Sequence, residues 1–289
     1  MPPSARLART AAGLLLSSHP GPVLAVSGGV TALAWAAGRG PAGTAWSGLA
    51  VLAGQLSIGL SNDYLDRATD RAAGRRDKPL AAGRVPARLV ASAAVVTFAV
   101  SAGFSLACGW RAGLIQLVTV ASGWVYNLGL KRTVWSVVPF VPGFGLFPAF
   151  VTLGLPGHPW PAWWATTGAA LLGMGAHFAN VLPDLPADLA TGVRGLPQRL
   201  GGRISRIVAG VLLGAAAAVL ALAPGDTGAV GGALRWPGVA VAVLVAGTGV
   251  VTAVAGSQRP AARYPAMLAV IVAGLFDVVL LVARGGHIA

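Results

Sequence analysis

The sequence contains no glutamate, only two lysines and a single cysteine in 289 residues. Cys108 alone cannot form an internal disulfide, and no Cys/His spacing suits a structural zinc site. Charged residues make up 10% of the chain, against roughly 25% in soluble domains. So little charge cannot cover a soluble globule of this length. An intrinsically disordered chain is excluded too, because 55% of the residues are hydrophobic. The 41 glycines follow no Gly-X-Y period, which excludes collagen.

What is present is apolar length. Mean hydropathy is +0.73, which points to lipid as the solvent. A spanning helix needs about 20 mostly apolar residues. Nine segments approach that length, near 20–37, 44–61, 88–107, 112–129, 134–154, 162–182, 205–223, 236–256 and 265–283. The expected fold is all-α: a polytopic integral membrane protein with nine transmembrane helices in a single domain over 1–289.

Net charge is +13. In a soluble protein that excess would indicate nucleic acid, but membrane sidedness explains it better. With the N-terminus placed in the cytoplasm, 17 basic residues fall inside. Only Arg39, Arg111, Arg235 and Arg284 fall outside. The expectation is a multi-pass protein of the cell membrane with the bilayer as its partner, no nucleic acid and no obligate protein partner. The two most charged loops, 62–87 and 183–204, share the cytoplasmic face with the N-terminus.

Two short segments of those loops hold five of the eight aspartates. The first reads Asn62-Asp63-Tyr64-Leu65-Asp66-Arg67-Ala68-Thr69-Asp70. If the second span continues as a helix, Asp63, Asp66 and Asp70 project from one face, with Asn62 a turn from Asp66. The second reads Asn180-Val181-Leu182-Pro183-Asp184-Leu185-Pro186-Ala187-Asp188. Its prolines leave a loop or a fresh helical first turn as equal readings. Clustered carboxylates repel one another and call for a cation, and hard oxygen ligands suit Mg²⁺ or Ca²⁺. Mg²⁺ typically bridges one or two carboxylates to substrate phosphates. Arg71, Arg75, Arg76, Lys78, Arg84, Lys131, Arg132 and Arg194 lie near enough in sequence to neutralise a bound diphosphate. The plainer reading of either cluster by itself is a solvated, salt-bridged loop.

Residues 62–70 resemble the NDxxDxxxD motif of the UbiA superfamily of intramembrane prenyltransferases, and residues 184–188 resemble its second DxxxD motif. Further likeness lies in Lys78-Pro79-Leu80-Ala81-Ala82-Gly83-Arg84, in Tyr126-Asn127 with Lys131-Arg132-Thr133, and in Gly192-Val193-Arg194-Gly195-Leu196-Pro197 with Gly201. Lys78 stands where the family usually has Arg, and Gly195 where it has Thr. The resemblance implies a bundle around a cytoplasm-facing central cavity and Mg²⁺-dependent transfer of an isoprenyl group (Mn²⁺ also serving) from an allylic prenyl diphosphate to a small-molecule or lipid acceptor. Asp63, Asp66, Asp70, Asp184 and Asp188 would be the catalytic and metal-binding residues. Asn62, Arg71, Lys78, Arg84, Tyr126, Lys131, Arg132, Asn180 and Arg194 would bind substrate. Two alternatives share the same residues: a membrane terpene cyclase acting on a prenyl diphosphate, and a non-catalytic lipid-binding protein. Transport is disfavoured, because the acidic clusters sit at span ends.

Three further features have double readings. Phe140, Phe144 and Phe147 form a stripe that either lines a prenyl channel or packs helices. His177 is either a base for the acceptor or a satisfied core histidine. Asp277, inside the ninth segment, either contacts the acceptor or pairs with a neighbouring helix.

Overall fold

The structure, a computed structural model, describes residues 3–224, 228–254 and 263–289. Asp226 and Arg259 lie outside the described residues. Within them the chain is helical, with no strand: α1 (Pro3–Ser17), α2 (Pro20–Ala36), α3 (Gly40–Ala72), α4 (Ala87–Ala107), α5 (Trp110–Leu128), α6 (Phe140–Gly145), α7 (Phe147–Thr152), α8 (Trp163–Val181), α9 (Leu185–Ala190), α10 (Leu196–Leu222), α11 (Gly228–Val254) and α12 (Arg263–Ala283). Proline opens α2, α3, α7, α9 and α10 within the first turn. There its missing N–H costs nothing and its fixed φ suits the helix.

Within the described residues the apolar segments lie mostly on helix, apart from 134–154. Among the described residues two helices, Ala87–Ala107 and Leu196–Leu222, are by themselves long and apolar enough to cross a membrane. The segment expected as one helix over 134–154 is instead two short ones that meet at Leu146, with turns before them. Pro148 explains the break: it has no N–H for the carbonyl four residues back, and its ring crowds that carbonyl.

Neighbours in sequence are neighbours in space. α2 packs on α3, and α3 on α4 and α5. α5 meets α6 and α7, α6 meets α8, and α8 meets α10. α10 then packs on α11 and α12. α12 also reaches α2, closing the ring. Small residues let these helices approach closely: a side chain on Gly59 would collide with the Ser18 carbonyl, where the α1–α2 corner lies on α3. Hydroxyl links join α3 to its neighbours, since Ser57 Oγ donates to Ala94 O at 2.8 Å and Ser101 Oγ to Ala50 O at 2.7 Å.

At the end of the bundle away from the aspartates, two arginines hold helix C-termini. The Arg39 guanidinium donates to the carbonyls of Phe150, Val151 and Cys108. Arg284 donates to Leu220, Ala223 and Pro224 and lies over the Trp164 ring at 4.8 Å. The last carbonyls of a helix have no partner within it and carry the negative end of its dipole. Two of the four arginines counted as outside by charge therefore have a structural task.

Candidate active site

The second span does continue as helix: α3 runs unbroken through both Asp63 and Asp70 to Ala72. Its three carboxylates are shared between two lysines. Lys78 Nζ lies 3.2 Å from Asp63 Oδ1 and 3.1 Å from Asp70 Oδ2, bridging residues two turns apart. Lys131 Nζ donates to both oxygens of Asp66, at 2.6 and 2.5 Å. Arg132 adds a longer contact to Asp66 at 4.0 Å and donates to Thr69 Oγ1 at 3.3 Å. Burial opposes the Lys78 charge, but Asp63 and Asp70 outweigh it and raise the ammonium above the ordinary lysine value. At Lys131 burial prevails over Asp66 and lowers it.

Asp63 is the most enclosed of the set, at 2% exposure. Its Oδ1 also meets His19 Nε2 at 3.3 Å. His19 sits in the left-handed region, with φ 58, at the turn between α1 and α2. That turn brings the imidazole to α3. Burial pushes the Asp63 carboxyl up, but the His19 hydrogen bond and the Lys78 charge hold it below the ordinary range. Asp63 Oδ2 is buried and has no hydrogen-bond partner.

Asn62 turns away from the carboxylates. Its amide donates to Asn127 Oδ1 at 3.2 Å, and Asn127 donates on to Ile58 O and Ser61 Oγ, both at 2.9 Å. This amide relay fixes α5 against α3 just before Lys131 leaves the helix on a 3-10 turn at Leu130–Arg132.

The second motif adopts the fresh-helix reading. Asp184 precedes α9, and Pro186 lies in its first turn. Asp188 Oδ2 accepts from Gln198 Nε2 at 2.8 Å. Gln198 sits on the first turns of α10, ahead of a bend at Gly201, whose φ of 78 suits glycine. Burial raises the Asp188 carboxyl, Gln198 opposes it, and the carboxylates of Asp184 and Asp66 push it higher. Asp66 and Asp188 thus feel each other across the two motifs. Arg75 joins them more directly: its Nη1 lies 3.6 Å from Asp184 Oδ1, while its other N–H groups grip Asp77.

Behind the carboxylates lies an aromatic wall. Tyr126 stands edge-on to Phe140 at 5.2 Å and to His177 at 5.6 Å, and His177 stacks on Phe140 at 4.4 Å. Phe144 continues the stripe to Phe147. His177 is 2% exposed and hydrogen-bonds Ser136 Oγ at 3.1 Å, while Ser136 Oγ accepts the Leu196 N–H. This is a satisfied core histidine that ties α8 to the start of α10.

Not every residue singled out by sequence joins the cluster. Asn180 and Arg194 are exposed, and among the described residues no contact joins either to an aspartate. Arg71 and Arg84 line a separate pocket with Arg75 and Arg76. His19 and Gln198 do touch the aspartates, and sequence reading passed over both. Neither stands in a motif, and only the folded corner of α1–α2 and the bend at Gly201 bring them in. Among the described residues no three His, Cys or Asp side chains converge on one point; the carboxylates pair directly with basic side chains instead.

Residues 23–281 match the model of the UbiA prenyltransferase family. The chain belongs to that family. Solved structures share the fold at low identity. A UbiA homologue from Archaeoglobus fulgidus, solved with GPP and Mg²⁺, superposes with a TM-score of 0.68 at 13% identity, over 93% of this chain and 99% of that one. A digeranylgeranylglyceryl phosphate synthase gives 0.68 at 13% identity, over 96% and 99%. The apo UbiA homologue from Aeropyrum pernix K1 gives 0.63 at 16%, over 87% and 97%. No curated protein sequence matches the chain. The family and the helical, membrane-type fold expected from the aspartate motifs are therefore established.

Proposed function

We propose that this UbiA-family protein transfers an isoprenyl group from an allylic prenyl diphosphate to a small-molecule or lipid acceptor, with Mg²⁺ as cofactor. The observation that carries the reading is that the second aspartate segment, 184–188, comes through Asp184 to Arg75, just beyond the first segment, 62–70. Solved relatives hold GPP or DMAPP with Mg²⁺, which supports the same donor class here.

The residues fit a magnesium–diphosphate group. The donors are carboxylates, hard ligands of the kind Mg²⁺ takes together with substrate phosphates. Asp63 Oδ2 is buried without a partner, as an oxygen kept for a cation would be. Asp63, Asp66 and Asp70 would hold one side, Asp184 and Asp188 the other. When bound, Mg²⁺ draws off negative charge as it grows on the departing diphosphate.

The chain's own groups do the rest. Lys78, Lys131 and Arg132 are already placed at the carboxylates and exchange part of that contact for diphosphate oxygens. The allylic C–O bond breaks, its electron pair leaves on the diphosphate, and the acceptor's nucleophile bonds to the allylic carbon and sheds a proton. The wall of Tyr126, Phe140, Phe144 and Phe147 offers π faces to the cation and excludes water. We place the protein in the cell membrane as a multi-pass bundle around a cytoplasm-facing cavity, with its N-terminus and aspartate loops on the cytoplasmic side. The charge asymmetry of the loops supports that orientation.

The test is incubation of the purified protein with prenyl diphosphates of several lengths, with and without Mg²⁺ and candidate acceptors. Diphosphate release that needs Mg²⁺ or Mn²⁺, with a prenylated acceptor, is the expected result. A cyclic product without acceptor would replace transfer with cyclisation, and full turnover in metal-free buffer would end the metal role.

A further inference from the structure

A basic pocket lies just beyond the first aspartate motif. Arg71, Arg75, Arg76 and Arg84, with three small residues, surround a pocket of about 400 Å³, and no acidic side chain lines it. Lys78 and Lys131, which face the carboxylates, are not part of its wall.

The arginines are held there by a folded loop. Gly74 N donates to Arg71 O at 3.1 Å, Arg75 N to Asp70 O at 3.0 Å, and Arg84 N to Pro79 O at 2.9 Å. Leu80 and Val85 anchor the loop, each at 3% exposure. Arg84 Nη2 donates to the backbone carbonyl of Arg76 at 2.7 Å, which fixes the Arg84 guanidinium against the loop. Arg75 is neutralised by Asp77 and Asp184. Among the described residues, Arg71, Arg76 and Arg84 form no ion pair. Arg71 at the end of α3 and Arg76 and Arg84 on the loop after it concentrate positive charge around one pocket, which favours an anion there.

We propose that this pocket binds a phosphate group distinct from the donor diphosphate. Guanidinium forks match phosphate oxygens in pairs, and three of them balance a dianion or a charged headgroup. The volume exceeds that of bare phosphate and admits its polar substituent. The phosphate belongs either to a soluble phosphate ester or to an anionic lipid headgroup at the membrane surface. The site stands whether or not the aspartates catalyse prenyl transfer.

The experiment uses the full-length protein in metal-free buffer. Titration calorimetry in detergent measures binding of inorganic phosphate. In parallel, native mass spectrometry counts phosphatidylglycerol retained from phosphatidylcholine nanodiscs doped with it. Arg76→Gln alters an exposed side chain and leaves the fold intact. It should weaken binding roughly tenfold in at least one arm, as expected for loss of a charge-assisted contact. An effect on inorganic phosphate identifies a soluble ester, and an effect on lipid retention alone identifies a headgroup. Arg203→Gln, an exposed arginine of α10 outside the pocket, should leave binding unchanged. The proposal fails if neither probe saturates the wild type, or if Arg203→Gln is as damaging as Arg76→Gln.

Discussion

Arg75 Nη1 lies 3.6 Å from Asp184 Oδ1, and this contact joins segments more than a hundred residues apart. Arg75 follows the first aspartate motif by one turn of loop; Asp184 opens the second. The same guanidinium holds Asp77 at 2.9 Å. An arginine with these two carboxylate partners ties the second motif to the loop that follows the first.

The first prediction concerns those aspartates. Asp184 is 54% exposed, so Asp184→Asn should fold normally and lose roughly 10²–10³ in turnover, as loss of one charge-stabilising group typically does. Asp66→Asn should lose as much activity but also some stability, because Lys131 would stay buried without its counter-charge. The double variant should fall short of the product of the singles. Asp226→Asn, in the loop read as outside, should behave as wild type. Normal rates in a well-folded Asp184→Asn protein would sink the assignment.

A second prediction concerns pH. The folded Asp63 carboxyl lies below its ordinary value of 3.8. A depressed carboxyl contributes stability that is present above the ordinary value and lost as pH falls through the folded one. In metal-free buffer, Asp63→Asn should therefore lower the melting temperature at neutral pH by an amount worth about 1–3 kcal/mol. The gap to wild type should close below about pH 4. A gap that is constant from neutral to acid pH would contradict the ion-pair account.

His177 gives a third. Its ring is buried against Phe140 and bonded to Ser136. Replacement by alanine should destabilise the fold by about 1–3 kcal/mol through lost packing and an unpaired Ser136. The pH dependence of turnover should keep its shape. A vanished alkaline or acid limb in His177→Ala would restore the catalytic-base reading.

The fourth concerns Arg284, far from the aspartates. Arg284→Met keeps apolar bulk against Trp164 but leaves the carbonyls of Leu220 and Ala223 without donors. Thermal stability should drop by an amount worth about 2–4 kcal/mol, at roughly 1–2 kcal/mol per orphaned carbonyl. The donor KM should not move. An unchanged melting temperature would show that these carbonyls find other partners.

The sequence by itself determined the class of the fold, because helix in lipid is the one way such apolar segments satisfy their own backbone. It also determined which carboxylates to look at, since five of eight aspartates fall in two short segments. The spacing put Asp63, Asp66 and Asp70 on one face only if the helix continued, and the structure shows that α3 runs on to Ala72. Three things waited for the tertiary structure. Pro148 broke the fifth segment at Leu146, a local effect that a hydropathy average conceals. The division of the carboxylates, Asp63 and Asp70 to Lys78 but Asp66 to Lys131, depends on where two loops fold back, and helical spacing is silent about that. His19 meets Asp63 from a distant corner of the chain, while the fold-back of short loops brings Gln198 to Asp188 and gathers the arginine pocket. Side-chain direction at such places is set by packing of whole helices, so no local pattern carries it.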